Sequence, residues 1–215
     1  MVTRNEALNE ITNLKTDEFA KRVKNLKLPA ERIRQFLDVI RGELHIDSFL
    51  KIDIEEYALK IIFPDVYNQS MITEHLYSTC DLYEFNPAKN GQNVIKHGIG
   101  FQDVVSYSKK FGTLIISCPD KNDDERVVLF SDFDLENKYK VELALSSIKS
   151  PSCCISIATS RGRKFRFISS RLLSSEKKKY TKTILQSLRS IEFSDEKSKI
   201  AFVNRCVEII ERDLI

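Results

Sequence analysis

Apolar residues recur at helical spacing from residue 8 to residue 62, shift to a period near two between residues 104 and 168, and return to helical spacing from residue 180 to the end. In the first stretch Thr3 and Glu6 form a capping box ahead of Leu8, Ile11 and Leu14, which predicts a helix ending near Lys15. Thr16 or Asp17 can cap a second short helix with Phe19, Ala20 and Val23 inward, and Pro29 suits the first position of a third. Ile33, Phe36, Leu37, Ile40 and Leu44 give that third helix one apolar face, with Gly42 as its terminator. Asp53 and Glu56 read as a second capping box before Tyr57, Ala58, Ile61 and Ile62, and Pro64 stops the run. Residues 1–65 are therefore predicted as a helical segment.

Periodicity weakens after Val66, where Asn86-Pro87 and Lys89-Asn90-Gly91 carry turn chemistry, so 66–92 is read as a connecting region. Six β-branched runs follow: Val104 to Tyr107, Thr113 to Ser117, Arg126 to Phe130, Lys138 to Leu145, Cys154 to Ala158 and Lys164 to Ile168. Their spacing predicts an antiparallel meander forming a barrel or bent sandwich, with Ser160-Arg161-Gly162-Arg163 as a hairpin turn. Tyr180, Ile184, Leu185, Leu188 and Ile191 then make one helix face. Ser194 or Asp195 can cap a last helix over 192–215, with Ile200, Val203, Val207, Ile210 and Leu214 inward. The fold class is α+β.

The runs GTLIISC (112–118), RVVLFSDFDLENKYKVELALSSI (126–148) and ISIATSRGRKFRFIS (155–169), ahead of SSEKKKYTKTILQSL (174–188), resemble the pleckstrin-homology superfamily over residues 93–191. The resemblance implies six or seven antiparallel strands closed by a helix. It also implies a protein-binding or phosphoinositide-binding role. The chain departs from the family pattern in lacking Trp in the closing helix, and its basic residues near the first hairpin reduce to Lys109 and Lys110.

Composition narrows the classes. With 34 Lys and Arg against 31 Asp and Glu, the formal charge is only +3, which excludes a histone-like polycation, and 6 Gly and no Trp leave no room for a Gly-rich nucleotide loop. No apolar leader or membrane-length span is present, and the odd, scattered Cys80, Cys118, Cys153, Cys154 and Cys206 read as reduced thiols, which predicts an intracellular protein, cytoplasmic or nuclear. The charge is local: Arg161, Arg163, Lys164, Arg166, Arg171, Lys177, Lys178, Lys179 and Lys182 stand against Glu176 alone, a net +8 that leaves −5 on the remainder. With Phe165 and Phe167 inward, Lys164 and Arg166 would project outward as an anion- or partner-binding face; the other reading is a solvated surface that protects a sheet edge.

His45, His75 and His97 are far apart, neighbouring Cys153 and Cys154 cannot chelate together, and Asp120, Asp123, Asp124 and Glu125 lack EF-hand spacing, so no metal and no cofactor is expected. No catalytic residue is assigned. Three functions remain. The first is a non-catalytic interaction or scaffold module with a protein partner, the second a nucleic-acid or chromatin binder using 161–182, and the third a metal-dependent nuclease built on Asp132, Asp134, Glu136 and Lys138.

Overall fold

The computed structural model describes residues 2–69, 82–108, 112–117, 126–132, 145 and 151–214, and shows a mixed α+β protein. The chain divides into two compact units. One is built from described residues within 1–79, 85–100 and 141–146, the other from those within 80–84, 101–140 and 147–215. No helix among the described residues is long and apolar enough to cross a membrane.

The first unit is helical: α1 (Arg4–Asn13), α2 (Thr16–Arg22), α3 (Ala30–Arg41), α4 (Ser48–Ile62), α5 (Pro64–Gln69) and, after a break, α6 (Pro87–His97). The Thr3–Glu6 capping box is present, and Gly42 ends α3. Lys15 precedes α2 without a side-chain cap, so neither Thr16 nor Asp17 plays that part. Asp53 and Glu56 do not start a helix either. Asp47 caps α4, its Oδ1 accepting from the N–H groups of Phe49 (2.9 Å) and Leu50 (3.3 Å), because SFLKIDIEEYALKII is one uninterrupted run of helix formers. The expected turn at Asn86-Pro87 is the start of α6, with Asn86 accepting from Lys89 N–H at 3.0 Å and Pro87 in the first turn, where its missing N–H costs nothing. In the core of this unit Phe19 meets Phe36 edge to face and Phe36 stacks on Tyr57, ring centroids 5.2 and 5.6 Å apart, and Leu145 is buried in the same core.

Helices α4 and α6 cross at Gly91, where a Cβ would lie 2.0 Å from the Asp53 carbonyl oxygen; only glycine permits this approach. Polar groups tie the unit together. Asn90 donates to the buried Asp53 carboxylate at 2.6 Å, Arg4 grips buried Glu56 through Nε (3.0 Å) and Nη2 (2.9 Å), and Arg41 donates to the carbonyls of Thr12 and Leu14 at the end of α1.

The second unit holds one sheet, β1 (Tyr83–Glu84), β2 (Leu114–Ser117), β3 (Arg126–Asp132), β4 (Pro151–Arg161) and β5 (Lys164–Ser174), with α7 (Phe101–Ser106), α8 (Lys177–Ser187) and α9 (Glu196–Asp213). The order is β1-β5-β4-β3-β2. Strands β2 to β5 pair antiparallel in chain order, and β1 joins β5 in parallel; β3 pairs directly with β4, whereas the expected meander put the strand 138–145 between them. Six or seven strands closing into a barrel are not what these residues form. Among the described residues five strands make an open sheet whose edges, β1 and β2, do not pair with each other, and closure requires that pairing. Val104 to Tyr107 is not a strand: Phe101 and Val104, three apart, bury one face of α7, and Phe101 stacks on Phe167 at 5.1 Å. The expected strand 138–145 lies outside the described residues except Leu145. Asp195 caps α9, accepting from Ser198 N–H at 2.7 Å, and α8 and α9 pack on Ile116, Val128, Phe130, Cys153, Ile155, Ile157 and Leu173 rather than plugging a barrel end.

Candidate anion-binding interface

The basic residues of 161–182 are distributed by the β4–β5 hairpin and by α8. Gly162 (φ 62°) opens the two-residue turn, which suits a left-handed first turn position that matches strand twist. The last rung of β3 is Arg126↔Thr159 and the last rung of β1 is Tyr83↔Phe165, so Arg161, Arg163 and Lys164 lie beyond both neighbouring strands. Arg161 and Arg163 are exposed and Lys164 is half-buried, and among the described residues none of the three forms an ion pair.

One irregularity sets the faces. Ile157 pairs with Ser169 but Ala158 pairs with Phe167, so Ile168 is unmatched in the ladder. A one-residue slip reverses every side chain beyond it. Arg171, paired with Ile155, and Arg166, paired with Thr159, therefore project to the same sheet face, the one that α8 and α9 cover. Phe167 turns to the other face, against Phe101 and Tyr83, and not onto Ile155 and Ile157 as its spacing suggested.

Arg166 is taken up locally, its Nε donating to Glu84 at 2.6 Å where β1 runs beside β5. Arg171 is half-buried and donates Nη1 to Gln186 of α8 at 3.0 Å, while its Nε is buried without an acceptor. Burial and the neighbouring Arg189 charge hold the Arg171 guanidinium below its usual value. Lys177 pairs with Glu211 of α9 at 2.6 Å, and the buried Tyr180 donates its hydroxyl to the same carboxylate at 2.7 Å; burial and that carboxylate push Tyr180 up to about 12. Lys179 pairs with Glu176. Lys178 and Lys182 are exposed, one helical turn apart and without an ion pair among the described residues.

The nine cations thus fall into separate groups. The turn residues and the start of α8 flank opposite ends of β5, roughly 33 Å apart at strand rise. Lys177 to Lys179 also sit at the positive end of α8, which disfavours cations by about 0.3–1 kcal/mol each, offset here by Glu176 and Glu211. Arg189 and Gln186 escape a reading based on basic runs, because Arg189 stands apart in sequence and Gln186 carries no charge. Their helical spacing to Lys182 is the signal that would have found them.

Other chemistry is sparse. Cys154 is fully buried and burial pushes its thiol up to about 12, keeping it protonated and unreactive. Among the described residues no three His, Cys, Asp or Glu side chains gather where they could hold a metal. Asp132 ends β3; Asp134, Glu136 and Lys138, like Lys109, Lys110, His75, Cys80, Cys118 and the acidic residues 120–125, lie outside the described residues. No family model, curated protein or solved structure matches the chain.

Proposed function

We propose that the chain is a non-catalytic interaction module that engages an acidic protein partner through the β4–β5 turn and the flanking helices. The observation that carries this is the set of three cations, Arg161, Arg163 and Lys164, beyond the last rungs of β1 and β3 without a carboxylate partner among the described residues. A pleckstrin-homology-like reading is supported by the order of parts, an antiparallel ladder followed at once by a helix packed on it. An intracellular setting is supported by Cys153, Cys154 and Cys206, all buried and none in a disulfide.

Nucleic acid is the second reading, favoured by Lys178 and Lys182 as additional unpaired cations. The division of charge weighs against it. Three phosphate contacts at the turn would give a slope of only about −2.7 in log K against log salt, well short of a tight duplex binder. The test titrates the full chain with a fluorescent Glu-rich peptide bearing interspersed Phe, and with a short DNA duplex, across a salt series, alongside a variant with Arg161→Glu, Arg163→Glu and Lys164→Glu. Peptide binding that the variant loses supports the module. A duplex slope steeper than three phosphates moves the function to nucleic acid, and no binding of either probe near physiological salt removes the turn as a contact surface.

A further inference from the structure

A second cluster of cations stands apart from the hairpin turn, where α8 packs on β5. Lys182, Gln186 and Arg189 are spaced four and three residues apart along α8 and the 3-10 turn Leu188–Ser190 that continues it, so they share one side of that helix. Arg171 reaches the middle of this row from the sheet, its Nη1 on the Gln186 amide oxygen at 3.0 Å. The row holds three cations and an amide, and among the described residues no carboxylate pairs with any of them. With Nη1 engaged, the edge of Arg171 left over is the Nε and Nη2 fork, and Nε has no acceptor. Leaving a buried donor unmet is costly, and the Arg189 charge, one helical turn beyond Gln186, adds to burial in holding the Arg171 guanidinium below its usual value. From this arrangement we infer that Arg171, Lys182, Gln186 and Arg189 bind a phosphate monoester. A single carboxylate would leave most of that charge uncompensated. A phosphoryl group carries −1.5 to −2 and three acceptor oxygens, matching a guanidinium fork with two further cations. A phosphodiester chain, with one charge per unit, would need a strip of cations, and the unpaired cations here are split between the turn and α8.

The test uses the full chain and follows the arginine Nε–H resonances by nuclear magnetic resonance during titration with O-phosphoserine, inorganic phosphate, a dinucleotide phosphodiester and sodium chloride at matched ionic strength. The expected result is a saturable shift of the Arg171 Nε–H signal with both monoester-type probes, the tighter of the two naming the source. Loss of one charge-assisted bond in Arg189→Gln or Lys182→Gln, both surface changes that spare the core, weakens it about tenfold, while Lys197→Gln, the same loss of charge on α9, leaves it unchanged. Equal shifts with chloride, an undiminished response in Arg189→Gln, or a dinucleotide that binds as well as phosphoserine would each overturn the assignment.

Discussion

The helical unit and the sheet unit treat charge in opposite ways. In the helical unit several charged groups that reach the interior are paired there: Glu56 is 1% exposed and gripped by Arg4, Asp53 is 1% exposed and takes the Asn90 amide, and Arg41 closes the end of α1, while Arg32 buries Nη1 with no hydrogen-bond partner among the described residues. In the sheet unit Arg166 and Lys177 find carboxylates, but Arg161, Arg163, Lys164, Lys178, Lys182 and Arg189 form no ion pair among the described residues. Burying a charge without partners costs stability, whereas exposed charge contributes little to stability and is available for binding. Polar side chains thus tie helices together in one unit, and in the other they leave a larger set of exposed cations without an ion pair among the described residues.

The sharpest break of that comparison falls on the helical unit. Gly91→Ala drives a methyl into the Asp53 carbonyl at the α4–α6 crossing and should destabilise the chain by about 3 kcal/mol in urea unfolding; a loss below about 1 kcal/mol would mean that the helices can part cheaply. Arg4→Met should cost about 2 kcal/mol, less than a fully buried pair because Arg4 is partly exposed, since it leaves Glu56 without its counter-charge. The opposite sign is expected in the sheet unit. Lys178→Glu relieves the start of α8 and should raise stability by a few tenths of a kcal/mol, read as a small upward shift of the melting temperature. If instead it destabilises the chain, Lys178 is structural and the contrast between the units weakens.

How much of this was legible in the sequence depended on the range of the interaction. The Thr3–Glu6 box and the Asp195 cap are hydrogen bonds between residues three apart, and both were visible. The Asp53–Glu56 pair has the same spacing and no such role, because a cap exists only where a helix starts, and Asp47 starts it earlier. Phe165 and Phe167 share one side of β5, as their spacing predicts, and Phe167 is buried. Their partners were missed because the unmatched Ile168 reverses the alternation between Phe167 and Ser169. The single basic face was drawn from contiguity in sequence, and a strand of eleven residues spreads its two ends apart.

The sequence by itself determined the Thr3 cap of α1, the end of α3 at Gly42, the positions of β2 to β5 and the Gly162 turn, because local caps, periodicity and a positive φ are settled by neighbouring residues. Only the tertiary structure decided that β1 lies beside β5, that Glu84 takes Arg166, that Gly91 admits α4, and that Arg171 meets Gln186. Those pairings join residues distant in the chain. Register and packing choose them, since each depends on which surfaces must be buried together and not on any local preference.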